Sequence, residues 1–318
     1  MLYAPAPMHI PDGFLSVLVS VVLWLVSALV VAYALKRVGE DLGERQLPMM
    51  GVLAAAIFAG QMLNFTVAGG TSGHLIGAAL ATILLGPWAA VLVMTSVISI
   101  QALIFQDGGL LVLGANIFNM GILAVAVAYA VYRTVRALAA NRRWGLLAGG
   151  FLSAWASVVV TALAVALQLA LSGTSPANIA IPTMGLVHVL IGIGEGLITS
   201  GALAFLYASR RDLLEAGQAQ PAGGRAVWIF GLLAALALTV LSPLASSHPD
   251  GLMWFAQQQG FLSAARSPLY RLLPGYLLPG VSNQAAATIL AGVLGVLIVF
   301  AVTLLVGLLG RKRSSEQE

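Results

Sequence analysis

Four histidines, His9, His74, His188 and His248, carry most of the chemistry this sequence can offer. The chain has no cysteine, which excludes disulfides, thiolate metal sites and dithiol redox pairs. A metal ion would therefore be held by nitrogen or oxygen, or weakly by a thioether. His9 follows Met8, a methionine that can itself begin a chain. In a chain that starts there, the Met8 amine, the His9 amide and the His9 imidazole lie within two residues. A divalent ion able to displace the amide proton takes all three in one plane, and square-planar nitrogen favours Ni(II) or Cu(II). His74, in Gly69-Gly-Thr-Ser-Gly-His74, is the natural fourth ligand, because a glycine-rich backbone can approach closely. The ligands must lose protons, so binding weakens in acid. An interfacial residue ahead of a membrane helix accounts for His9 equally well, and these residues alone do not separate the two readings.

His188 and Glu195 are seven residues apart and share a helix face. Glu195 is the only acid well inside an apolar run. Such an acid normally faces the bundle interior and marks function; Asn64, Gln101, Asn116 and Asn119 are its expected partners. Gly192, Gly194 and Gly196 equally indicate tight packing around a polar clamp. Asn116 and Asn119, spaced i,i+3, suit either a brace for the His74 loop or interhelical hydrogen bonds. Ser72 lies beside His74, but no G-x-S-x-G elbow or H-E-x-x-H occurs. No phosphate-binding P-loop is present, so the chain does not hydrolyse ATP itself.

The elements that must position these groups are membrane helices. Of 318 residues, 60% are hydrophobic and 8% charged, against about a quarter charged in soluble domains. Several runs exceed the roughly 18–20 apolar residues that cross a bilayer. An all-α polytopic membrane protein is predicted. Seven spans, near 14–35, 48–67, 75–85, 88–105, 115–132, 144–171 and 184–207, form a core. Residues 212–225 read as a polar linker. Two further helices, 226–241 and 284–309, flank a proline-bearing polar excursion, 243–283. The expected division is thus an extension (1–7), a core (8–211), a linker (212–225) and an accessory domain (226–318). No internal repeat is evident, which argues against an inverted-repeat transporter. Alternating the spans gathers nearly all Lys and Arg on one side, leaving only Arg266 and Arg271 opposite. The rich side is the cytoplasm, which puts the N-terminus and 243–283 outside, the C-terminus inside and all four histidines near the outer face. Basic residues distributed between spans do not make a nucleic-acid surface.

Met8-His9-Ile10-Pro11-Asp12-Gly13-Phe14 resembles the amino-terminal signature of the cobalt/nickel-specific substrate-capture (CbiM/NikM-type) subunits of energy-coupling-factor transporters. Gly69-Gly-Thr-Ser-Gly-His74, Leu85-Gly-Pro-Trp88, Gln101-Ala-Leu, Gln106-Asp-Gly-Gly109, Leu113-Gly-Ala-Asn116 and the segment from His188 to Glu195 are similar to that family's later motifs. Pro249-Asp250-Gly251-Leu252 resembles the PDGLE-type accessory domain, with Met253 where that motif usually carries Glu. The resemblance implies capture of Ni²⁺ or Co²⁺ as transported substrate, with no fixed cofactor, at the outer face of a cell membrane. It implies metal ligation by Met8, His9 and His74, with Asn64, Ser72, Asn116, His188 and Glu195 as supporting residues. The partners it implies are a transmembrane coupling subunit and cytoplasmic ATPases, reached through small-residue faces such as those of the first, second and sixth helices. The glycine-rich loop is closer to the nickel-type members. Because Met1–Pro7 would block the Met8 amine, the expected start is Met8. The alternatives are an ion-coupled secondary metal permease with His188 and Glu195 as a proton relay and, last, an intramembrane hydrolase.

Overall fold

The computed structural model describes residues 8–41, 47–140, 142–215, 225–268 and 270–315. Lipid offers a peptide group no hydrogen bond, so apolar runs of this length fold as helices that pair their own backbone. In chain order these are α1 (Val17–Asp41), α2 (Leu47–Gln61), a hairpin β1 (Phe65–Val67) and β2 (Thr71–Gly73), and α3 (Ala78–Leu85). Next come α4 (Pro87–Phe105), α5 (Leu113–Leu138), α6 (Arg143–Leu171) and α7 (Ala177–Ser209). The chain then continues through α8 (Arg225–Leu241), α9 (Gly251–Gln258) and α10 (Gln284–Ser315). Among the described residues, six helices, namely α1, α4 to α7 and α10, are long and apolar enough to cross a membrane. The chain is a multi-pass, predominantly helical membrane protein.

The bundle core is built on α2 and α4, with Met50, Ile57, Phe58, Leu92, Met94 and Ile98 fully or almost fully buried. Helices α6 and α7 pack together along their length, and α10 packs on α2 and α1 with α8 beside it. This corrects one expectation. The small-residue second helix is no free docking face: Gly51 lies against Phe300 and Leu304 of α10.

The expected third span is also corrected. Only Ala78–Leu85 is helical, about 12 Å of rise, far short of a ~30 Å hydrocarbon core. Residues before it form the β1–β2 hairpin, paired Phe65 with Gly73 and Val67 with Thr71, and then an irregular stretch through His74 to Gly77. Irregular backbone survives inside a bundle only where protein groups pair it. Glu195, fully buried on α7, does this. Its carboxylate accepts from the N–H groups of Ile76 (2.8 Å) and Gly77 (2.9 Å). Gln61 donates to the Ile76 carbonyl at 2.9 Å and is itself held by Gln101 at 2.7 Å. The partners of Glu195 are therefore backbone amides rather than Asn64, Gln101, Asn116 or Asn119.

Helices α4 and α5 each contain a π-helical stretch, Gln101–Phe105 and Ile117–Leu123, on either side of the break at 106–112. Such stretches often mark functional sites. The excursion 243–283 folds over the same end of the bundle. Within it Tyr276 is fully buried, stacked on Phe105 at 4.8 Å and 19°. Leu252, Met253 and Phe255 of α9 join Ile10 and Phe14 in one apolar cluster. Met253 suits that place, where a carboxylate would need a partner.

Glu195→Ala would leave two buried N–H groups unpaired, at about 1–3 kcal/mol each. It is expected to lower the thermal unfolding midpoint in detergent, with Glu195→Gln recovering part of the loss; an unchanged midpoint for the alanine variant would refute this role.

Candidate metal site

The segment 8–14 is an arm laid on the break between α4 and α5. Its attachment begins with Asp12, whose carboxylate accepts from the N–H groups of Leu110, Leu111 and Val112 at 3.2, 2.9 and 3.2 Å. The side-chain amide of Asn116 brackets Ile10. It accepts from the Ile10 N–H and donates to the Ile10 carbonyl, both at 3.1 Å. Gly109 N–H adds a second bond to that carbonyl at 2.9 Å. The two glycines of the break are needed for this contact. Gly108 has φ +96, and a Cβ there would stand 2.9 Å from His9 Cβ; a Cβ on Gly109 would fall on Asp12.

So held, the arm brings three nitrogens to one point. Asp107 Oδ1 accepts from Met8 N at 2.8 Å and His9 N at 3.1 Å, and lies 3.3 Å from His9 Nδ1. His9 Nδ1 also lies 3.3 Å from the Asp107 carbonyl oxygen. Burial alone would raise the Asp107 pKa, but His9, the Tyr276 hydroxyl and the Met8 N–H hold it well below the usual carboxylate range.

His74 approaches from the other side. Its ring is edge-on to His9 with centroids 5.9 Å apart. Nδ1 lies 2.9 Å from Asp250 Oδ1. Among the described residues, the buried Nε2 atoms of both His9 and His74 have no hydrogen-bond partner, a condition that buried polar atoms rarely tolerate without a ligand or water. Burial alone would lower the His74 pKa, but the Asp250 carboxylate, with Asp107 and Glu195 farther off, outweighs it and the net shift is upward. A cavity of about 70 Å³ lies here, with Met8, His9, His74, His188, Asn116 and Asp250 on its wall beside apolar Ile76, Met120 and Val158. Among the described residues, no three His, Asp or Glu side chains form a metal-holding group, so a cation held here would draw on backbone nitrogen.

The other residues singled out in the sequence divide. His188 lines the cavity, with Nδ1 committed to the Met184 carbonyl at 2.8 Å. Asn119 forms a reciprocal amide pair with Gln168 (2.8 and 2.7 Å). Neither Asn116 nor Asn119 braces the His74 loop; that work falls to Glu195 and Gln61. Asn64 does not line the cavity, and among the described residues its side chain has no hydrogen-bond partner. Ser72 donates to the His248 carbonyl at 2.8 Å, a structural use of its hydroxyl. His248 itself is exposed. Met1–Pro7 lie outside the described residues. Asp12, Asp107, Asp250 and Tyr276 are site groups that sequence reasoning missed. The available signal was an acid within each turn motif, Pro11-Asp12-Gly13, Gln106-Asp107-Gly108 and Pro249-Asp250-Gly251; Tyr276 had none.

Asn116→Ala would leave the Ile10 N–H unpaired and remove one of the two bonds to the Ile10 carbonyl. Faster hydrogen exchange across residues 8–14 is the expected outcome, read by mass spectrometry, and unchanged protection there would exclude Asn116 as the clamp.

The chain is similar to known proteins over most of its length. Residues 9–213 match the cobalt uptake substrate-specific transmembrane region, and residues 225–312 match the PDGLE domain. A protein of Archaeoglobus fulgidus, provisionally named a fused nickel transport protein, is 36% identical over 301 residues, covering 92% of this chain and 96% of that one. The fused nickel transport protein of Rhodobacter capsulatus is 34% identical over 253 residues, covering 74% and 72%. The cobalt transport protein of Sorangium cellulosum is 39% identical over 175 residues, covering 53% and 76%. A crystal structure of a truncated transition metal transporter superposes with a TM-score of 0.56 at 36% identity, covering 63% of this chain and 99% of that one. The chain belongs to the family of cobalt uptake substrate-specific transmembrane proteins, joined here to a PDGLE domain, and is a transport protein rather than an enzyme.

Proposed function

We propose that this chain captures a divalent transition metal, nickel in preference to cobalt, as the substrate-binding membrane subunit of an ATP-driven energy-coupling-factor importer. The observation that carries the reading is the convergence of Met8 N, His9 N and His9 Nδ1 within 3.3 Å of a single atom, with the Nε2 of His74, which has no partner among the described residues, on the neighbouring ring. Three nitrogens of the arm and one from the loop make the all-nitrogen set that suits a square-planar ion, which is the basis for favouring nickel. The Met8 nitrogen acts as an amine in a chain that begins at Met8. A cation held along these N–H directions competes with Asp107 Oδ1 for the same nitrogens, so its entry requires that carboxylate to give way.

The capturing unit is residues 8–211, with the linker 212–225 leading to the accessory domain 226–318. The site opens to the outer side, with the C-terminus cytoplasmic. A transmembrane coupling subunit and two cytoplasmic ATPases supply the energy for release inside. Glu195 and the Nδ1 of His188 are committed to backbone groups, a bracing role that does not favour the proton relay of a secondary permease. Metal uptake by cells is expected to require ATPase partners; full uptake without them would establish the permease instead.

His9→Ala and His74→Ala are each expected to abolish high-affinity Ni²⁺ binding by isothermal titration calorimetry, while His248→Ala leaves it intact. Retention of tight binding in either of the first two variants would refute the ligand set.

Binding is also expected to be acid-sensitive. The metal needs the neutral His74 ring, and the upward pKa shift means that protons compete from a higher pH than for an ordinary histidine near ~6.5. Affinity should fall at least about tenfold between about pH 8 and about pH 6, and a flat profile would contradict nitrogen-only ligation.

A further inference from the structure

We propose that Asp250, a residue of the accessory domain, is a positioning residue for His74: it fixes the proton of that ring on Nδ1 and so presents Nε2 to the metal. The inference rests on the metal-site reading above and adds to it a group from outside the capturing unit.

The geometry is direct. Asp250 Oδ1 stands 2.9 Å from His74 Nδ1. A carboxylate only accepts, so Nδ1 carries the hydrogen and the lone pair falls on Nε2. That second nitrogen is buried and, among the described residues, without a partner. A carboxylate behind a ligating imidazole sets its tautomer and orientation and raises its basicity.

The carboxylate is itself held in place. Asp250 is the N-cap of α9, its Oδ2 accepting from Leu252 N at 3.4 Å, so each oxygen has a separate task. The backbone before it is tied to the strand that leads into His74. Ser72 N donates to the Pro249 carbonyl at 2.9 Å, Ser72 Oγ to the His248 carbonyl at 2.8 Å, and Ser72 forms a parallel bridge with Asp250. Donor, acceptor and their two backbones thus form one rigid unit, and Asp250 is only 3% exposed.

An independent contact shows the same segment reaching the other half of the site. Tyr276 Oη donates to Asp107 Oδ2 at 2.7 Å, while Oδ1 of the same carboxylate faces the arm. Tyr276 has φ +57, a backbone state costly for a bulky residue and maintained where the surroundings over-determine it.

The test uses the full chain in detergent with Ni²⁺ alone as the probe, reading affinity by calorimetry and the bound ion by its absorption spectrum at saturation. Asp250→Ser keeps a good helix cap, but its hydroxyl is one atom too short to reach His74. The expected result is an affinity loss of about 10–100-fold, with the saturated spectrum shifted toward that of His74→Ala. Asp250→Asn keeps an acceptor oxygen and should restore the wild-type spectrum and most of the affinity. Wild-type affinity and spectrum in Asp250→Ser, with His74→Ala inactive, would overturn the positioning role alone. Weaker binding in Asp250→Ser with an unchanged saturated spectrum would also overturn it, as the mark of a purely structural residue. Tight binding in His74→Ala would refute the metal site itself, and the proposal with it.

Discussion

Irregular backbone cannot rest inside an apolar bundle unless its N–H and C=O groups find partners. The rest of this structure follows from that constraint. Two non-helical segments, the arm and the His74 loop, are brought together between helices, and acidic or amide side chains pair their peptide groups. Asp12 takes the N–H groups opening α5, Asp107 takes those of Met8 and His9, Asn116 takes Ile10, and Glu195 takes Ile76 and Gly77. Each is a buried or half-buried acceptor whose removal would leave a peptide donor unpaired. The scaffold and the site are therefore the same set of contacts.

That arrangement has an electrostatic consequence. Asp107, Asp250 and Glu195 are all buried at this end of the molecule, close enough to bias the His74 ring. Negative groups in a weakly polarisable interior attract a cation more strongly than the same groups in water. Asp250 and Glu195 do so from beside the His74 segment, whereas Asp107 occupies the hydrogen-bond directions of the arm's nitrogens. A carboxylate hydrogen-bonded to an imidazole fixes that ring's tautomer and orientation.

The accessory segment belongs to this design more closely than its place in the chain implies. It packs its apolar residues Leu252, Met253 and Phe255 against Ile10 and Phe14 of the arm, while Asp250 and Tyr276 reach the two histidine-bearing elements. Its helices α8 and α10 also cover α2, so removing it would expose both core surface and site.

Hydropathy alone made the helices legible, because a run of apolar residues in lipid has one economical way to pair its backbone. The glycine-rich motifs marked where helices stop, and the absence of cysteine restricted the chemistry to nitrogen and oxygen. Hydropathy carried the second helix to about residue 67 and began the third at 75, whereas they end at Gln61 and begin at Ala78: glycines at 69, 70, 73 and 77 and an acceptor more than a hundred positions away, Glu195, stabilise a hairpin and loop between them. Likewise 243–283 reads as a polar excursion, since nothing local reveals that Tyr276 and Asp250 are buried against partners around 170 residues distant. Periodicity reports the average environment of a stretch, whereas the pairing of a single buried polar group depends on which distant segment the fold brings within 3 Å. The sequence by itself determined the helices, the breaks between them and the residue types that chemistry here must use. Only the tertiary structure decided which acid meets which amide, and that the carboxylates beside the two histidines are Asp107 and Asp250.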